Sequence, residues 1–130
     1  MTATRNAKIL IVDDEPLLAD TLAIIFQRAG YDATAVYSGE EALSFVTANT
    51  PALVVSDVIM PGLDGVSMAK KIRRTHPTCP VLLFSGNADT HDLVEAAKEE
   101  GHAFEVLAKP VPPPQMLAKV ASLLNQEASA

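Results

Sequence analysis

The sequence predicts an α/β domain built as one doubly wound parallel sheet, a three-layer sandwich of five strands and five helices. Short β-branched runs recur that are apolar on both faces, as strands in the middle of a parallel sheet must be. Between successive runs lies a stretch of helical apolar spacing, so strand and helix alternate throughout. Right-handed crossovers then lay the helices on both faces of the sheet. A length of 130 residues, 48% hydrophobic and 20% charged, suits one domain with a full core.

Ile9 to Val12 is the first strand, apolar on both sides. Pro16 suits the first turn of a helix whose apolar face is Leu18, Leu22, Ile25, Phe26 and Ala29, and Gly30 ends it. Tyr31 to Tyr37 reads as a more polar strand near a sheet edge. Ser38 and Glu41 form a capping box before a helix faced by Ala42, Leu43, Phe45 and Val46. Leu53 to Val55 is the third strand, and Val66, Met68, Ala69 and Ile72 mark the third helix. Val81 to Phe84 is the fourth strand, followed by a helix around Leu93, Val94 and Ala97 that stops at Gly101. Phe104 to Ala108 is the fifth strand. Pro112, Pro113 and Pro114 preset a last helix lined by Met116, Leu117, Val120, Leu123 and Leu124.

Composition excludes several classes. Ten Lys+Arg against 16 Asp+Glu give a net charge of −6, which repels phosphate backbones, so direct nucleic-acid binding is not expected. The longest apolar runs are strand-sized and the N-terminus is polar, so neither membrane insertion nor a secretory signal is expected. The lone Cys79 suits a reducing cytoplasm and builds no thiolate metal site. His76, His91 and His102 are scattered, solvated residues that assemble no metal site. Lys70, Lys71, Arg73 and Arg74 read as a solvated helix face.

In such sheets ligands bind beyond the carboxyl ends of the strands, where strand order reverses. Asp13-Asp14-Glu15 ends the first strand, Ser56-Asp57 the third, Ser85-Gly86 the fourth and Lys109-Pro110 the fifth. Taken singly, Asp13 or Asp14 is an ordinary helix cap, Asp57 and Ser85 ordinary turn residues, and Lys109 a solvated charge. Together they are harder to dismiss, because crowded carboxylates repel unless a cation joins them. Three clustered carboxylates suit Mg²⁺, and a carboxylate beside that ion can attack an activated phosphoryl group. Alignment and charge neutralisation are most of what phosphoryl transfer asks of a protein, and Lys109 and Ser85 add to both.

The run Ile11-Val12-Asp13-Asp14-Glu15, the stretch Gly30-Tyr31-Asp32 with Ser38-Gly39-Glu40-Glu41-Ala42-Leu43, the run Asp57-Val58-Ile59-Met60-Pro61-Gly62-Leu63-Asp64-Gly65, Ser85-Gly86 and Lys109-Pro110 carry a resemblance. The chain resembles the receiver domains of two-component response regulators, over about residues 7 to 126 of a single domain spanning 1 to 130. The resemblance implies a flavodoxin-like, chemotaxis-regulator-like sheet of order 2-1-3-4-5. It implies that Asp57 is the phosphoacceptor. It further implies that Asp14 is a direct Mg²⁺ ligand, that Asp13 acts through a bound water, and that the Ile59 carbonyl completes the protein ligands beside Asp57. Lys109 would pair with the phosphoryl oxygens, Ser85 would hydrogen-bond to one of them, and the Lys109–Pro110 bond would be cis.

The expected function is therefore Mg²⁺-dependent transfer of a phosphoryl group to Asp57 from a sensor histidine kinase or a histidine phosphotransfer protein. Beyond its own phosphorylation and dephosphorylation no enzyme activity is expected. The output would be a protein-interaction face for a downstream protein target, on a monomer or weak dimer. A degenerate receiver serving only as an interaction module is the alternative; it would lack Asp57 or Lys109, and both are present. A cofactor-binding carrier is disfavoured by the acidic rim and the missing Gly-rich phosphate loop. At 130 residues no room is expected for an attached output domain. Two departures from the family stand out. Val106 occupies the place, three before the Lys, where an aromatic ring is usual, and Gly101 to Lys109 is one residue longer than usual.

Overall fold

Five strands and five helices alternate along the chain: β1 (Lys8–Val12), α1 (Pro16–Arg28), β2 (Asp32–Val36), α2 (Gly39–Ala48), β3 (Leu53–Asp57), α3 (Gly65–Thr75), β4 (Val81–Ser85), α4 (Thr90–Glu99), β5 (Glu105–Ala108) and α5 (Pro113–Ser129). This computed structural model describes residues 6–86, 90–102 and 104–129. The strands form one parallel sheet, as the alternation of elements predicts, in the order β2-β1-β3-β4-β5 that the resemblance implies. Strand order reverses beside β1, which lies between β2 and β3 in register with both: Ile9 faces Ala33 on one side and Leu53 on the other.

Side-chain alternation along the strands divides the core into two layers. Leu10, Val12, Val54 and Leu83 face the layer built with Val46, Met68, Ala69, Ile72 and Ala97 from α2, α3 and α4. Ile9, Ile11, Leu53, Val55, Leu82 and Phe84 face Ala19, Ala23, Phe26, Met116, Val120 and Leu124 of α1 and α5. All five residues of β3 and of β4 are buried, whereas β2 is mostly half-buried, as expected of an edge strand. Each fully buried Leu, Ile, Val or Phe contributes roughly 1.5–3 kcal/mol, so the sheet's own runs supply the main drive to fold.

Three local details differ from the pattern reading. Helix α1 buries Ala19, Ala23 and Phe26, with Leu22 and Ile25 of the predicted face half-buried against the same layer, while Leu18 and Ala29 are exposed. Two alanines let the helix approach the sheet closely, which leaves Leu18 on the shoulder at 39% exposure and Leu17 at 82%. In the capping box, Ser38 Oγ accepts from Glu41 N at 3.0 Å, but the Glu41 carboxylate accepts from Tyr37 N at 2.8 Å, one residue before the cap. At the last helix Pro112 precedes α5, its carbonyl accepting from Gln115 N and Met116 N. Among the described residues no helix is long and apolar enough to cross a membrane.

Candidate functional site

The site is assembled where the ends of β1, β3, β4 and β5 meet. Asp13, just past β1, is fully buried, Asp57 at the end of β3 is buried, and Asp14 is half-exposed. Each offers a carboxylate oxygen within 4.8 Å of the others. Neither Asp13 nor Asp14 caps α1: Glu15 is the N-cap residue and makes no side-chain cap. Asp13 Oδ1 instead accepts from Glu15 N at 3.0 Å, while its buried Oδ2 has no hydrogen-bond partner. A buried carboxylate oxygen without a donor is costly unless a cation or a bound water meets it. Burial first, then the charges of Asp57 and Asp14, push the Asp13 carboxyl above its usual range; Glu15 N–H and Lys109 oppose the shift.

The positive charge comes from the far side of the sheet. Lys109 Nζ donates to Asp57 Oδ2 at 2.9 Å and lies 5.1 Å from the centroid of the Phe84 ring. Phe84 thereby lies beneath the lysine ammonium, a role with no signal in the sequence beyond its place in β4. Lys109 N also donates to Ser85 O at 2.9 Å, which sets Ser85, 7% exposed, beside the lysine backbone. The Lys109–Pro110 bond is cis. Next to Lys109 an apolar cleft of about 410 Å³ opens between α1 and the start of α5, lined by Leu18, Leu22, Phe84, Pro110, Val111 and Met116.

The loop after β3 is drawn tightly under Asp57. Ile59 N donates to Asp57 Oδ1 at 3.4 Å, and Gly65 N donates to Val58 O at 2.7 Å. A Cβ on Gly65 would stand 2.1 Å from the Asp57 carbonyl oxygen, so only glycine admits this approach of α3 to β3. Asp64 caps α3 through Ser67 N and Ser67 Oγ, both at 2.9 Å. Asp13, Asp14, Asp57, Ile59, Ser85 and Lys109 are thus gathered at one end of the sheet.

A family model for the response regulator receiver domain matches residues 9–121. The chain belongs to the response regulator receiver domains. It is 34% identical over 121 residues to the alkaline phosphatase synthesis transcriptional regulatory protein PhoP of Bacillus subtilis, covering 93% of this chain and 50% of that protein. It is 31% identical over 123 residues to the DNA-binding response regulator MtrA of Mycolicibacterium smegmatis, covering 95% of this chain and 53% of that one. The chain therefore spans about half the length of these curated relatives. Among solved structures, a receiver domain protein from Clostridium thermocellum superposes with a TM-score of 0.84 at 28% identity, covering 94% of this chain and 97% of that one.

Three features of this receiver domain bear on the departures expected from the sequence. Val106 is half-buried against the α3–α4 layer. Phe104 lies on the same side at the strand's entrance, with the Arg73 guanidinium 5.0 Å from its centroid and the parallel His102 ring at 6.2 Å. Tyr37 sits next to the opposite edge strand, its hydroxyl donating to Asp20 at 2.6 Å. Neither ring stands at position 106. The stretch from Gly101 to Lys109, expected to be one residue longer than usual, includes Ala103, which lies outside the described residues.

The basic cluster on α3 is only partly solvated. Lys70 pairs with Glu100 at 3.0 Å and Arg73 Nε donates to Cys79 O at 3.2 Å, while Lys71 and Arg74 are exposed. His76 and His102 are partly exposed: His102 stacks on Phe104, and His76 Nδ1 lies 2.7 Å from Thr75 Oγ1 in an exposed contact. The side chain of His91 lies outside the described residues.

Proposed function

We propose that this receiver domain takes a phosphoryl group onto Asp57 from the phosphohistidine of a sensor histidine kinase or a histidine phosphotransfer protein. The observation that carries the reading is the Lys109–Asp57 contact at 2.9 Å beside the orphaned Oδ2 of Asp13. One group neutralises charge at the acceptor, and the other is an oxygen waiting for a cation or its water. Asp13, Asp14, Asp57 and the Ile59 carbonyl would hold Mg²⁺, with Asp14 and Ile59 as direct ligands and Asp13 acting through water. The donor set is all oxygen, which suits a hard cation, and the ion supplies neutralisation of the phosphoryl oxygens.

Asp57 forms the new O–P bond as the donor's N–P bond breaks, and the electron pair of that bond leaves with the donor imidazole. Lys109 and Ser85 hold the phosphoryl oxygens of the product. The apolar cleft beside Lys109 gives a protein donor a surface to rest on. The phosphorylated domain, a monomer or weak dimer in the cytoplasm, then acts on a downstream protein through α4, β5 and α5. Binding DNA is what the names of its relatives state of them; this domain, at net −6, is proposed to make no such contact itself. With Asp57 and Lys109 present and in contact, nothing favours an interaction-only module.

Mass spectrometry after incubation with Mg²⁺ and a small phosphodonor tests the proposal. One added phosphoryl group on the wild-type chain and none on Asp57→Asn is expected. An equal gain on Asp57→Asn would overturn it.

A further inference from the structure

The loop between β3 and α3 carries Ile59, and its two ends are secured by main-chain contacts. Val58 N donates to Phe84 O at 3.2 Å, and Asp64 and Gly65 close the far end as described. The middle, Pro61 and Gly62, is exposed. On either side Met60 is buried and Leu63 is half-buried against the core, and a polar contact comes from a different element: Leu63 N donates to Glu40 Oε2 at 3.2 Å, from the first turn of α2, 23 residues earlier.

The surroundings are shaped for this contact. Gly62 has φ +74, and a Cβ there would come 2.9 Å from Glu40 Oε2. A Cβ on Gly39 would meet the Leu63 carbonyl oxygen at 2.8 Å. Two positions without side chains therefore let α2 and the loop lie against each other. The first turn of α2 is in turn braced. Ser38 Oγ caps it, the Glu41 carboxylate accepts from Tyr37 N, and the Tyr37 hydroxyl donates to Asp20 of α1. Hydrogen bonds thus tie α1 to the start of α2, and Glu40 in the same helical turn reaches on to the loop below Asp57. Glu40 is the member of this set that touches the loop, and its position at N2 of the helix lets the helix dipole favour its charge.

We propose that Glu40 is a positioning residue for the cation site: it holds the loop so that the Ile59 carbonyl is in place before the ion arrives. The proposal rests on the reading of Asp14, Asp57 and Ile59 as Mg²⁺ ligands. Met60 and Leu63 pack the loop on the core in any case. Without the Glu40 contact the Leu63 amide loses its acceptor and the exposed Pro61–Gly62 turn gains freedom, and restricting it on binding costs affinity. Loss of one hydrogen bond of this kind corresponds to a Mg²⁺ dissociation constant raised about fivefold. An acceptor is what the loop needs, not a charge, so an amide oxygen at the same place serves nearly as well.

Titration of wild type, Glu40→Ala, Glu40→Gln and Asp14→Ala with Mg²⁺ alone, followed by amide chemical shifts, tests this, with thermal unfolding run in parallel. Expected are a Leu63 amide shift in metal-free Glu40→Ala, weaker Mg²⁺ binding by about fivefold in that variant, and near-wild-type binding in Glu40→Gln. Equal weakening in Glu40→Gln and Glu40→Ala would overturn the proposal in favour of a plain charge effect. Wild-type affinity in Glu40→Ala, with or without a lower melting temperature, would overturn it as well. If Asp14→Ala binds Mg²⁺ as wild type does, or wild type does not bind it, the ligand reading beneath the proposal fails instead.

Discussion

Lys109 and Asp57 lie 52 residues apart in sequence, yet the ammonium of one donates to the carboxylate of the other at 2.9 Å. The contact spans the ends of two strands that are not neighbours, with Phe84 of β4 between them. It gives a largely buried carboxylate its single nearby ammonium among the described ion pairs. Removing the ammonium leaves Asp57 to accept a doubly charged group without local neutralisation. Lys109→Ala is expected to slow uptake from a small phosphodonor about a hundredfold, as loss of a preorganised charge-stabilising donor does. Stopped reactions analysed by mass would show it.

Divalent binding should stabilise the domain, because it relieves repulsion among Asp13, Asp14 and Asp57. At Mg²⁺ 100 times its dissociation constant the gain is roughly 2.7 kcal/mol. Asp14→Ala should erase most of it in urea unfolding with and without the ion.

For Asp13 the sign of the pH effect follows from its environment. Its folded-state pKa is raised above the usual 3.8, chiefly by burial. The protonated form is thus favoured in the folded state, and the associated stability is present below 3.8 and lost as pH rises through the folded value. In chelator-treated protein, Asp13→Asn should melt higher than wild type at pH 7. The difference should shrink as the pH falls toward 4, as melting curves across that range would record.

Gly65→Ala places a methyl group 2.1 Å from the Asp57 carbonyl oxygen. Backbone must move, and overpacking of this kind costs about 3 kcal/mol. Both a lower urea midpoint and slower phosphorylation are expected, since the displaced atoms belong to Asp57 and Val58.

At β5, Val106 has no ring to fill a volume that a moving Ser85 would vacate, while the Phe104 ring is engaged by Arg73 and His102. Phosphorylation should therefore produce a graded population shift in α4 and β5 rather than two discrete states. Amide shifts with Mg²⁺ and a beryllofluoride-type phosphoryl mimic should extend from about Leu93 to Val106, smaller than those at Asp57 and Ser85. Changes confined to the loops around Asp57 and Ser85 would refute a readout through this face. A Val106→Ala domain locked in one state would refute the graded response.

Much of this fold was legible because its signals are local and periodic. Ile9–Val12 and Val81–Phe84 are apolar on both faces, which marks strands buried on both sides wherever they lie. The apolar spacing of Met116, Val120 and Leu124 likewise marks a helix face without knowledge of its partner. Strand ends read this way already placed Asp13, Asp14, Asp57, Ser85 and Lys109 at one edge of a parallel sheet. Tertiary structure alone decided which of them touch. It decided that Ala19 and Ala23, not Leu18, meet the sheet, because the closest helix approach is set by side-chain size on both surfaces. It decided that Glu41 reaches Tyr37, that Glu40 holds Leu63 and that Arg73 covers Phe104. Each of these contacts depends on the distance and angle between separate elements, and no repeat along one element encodes them.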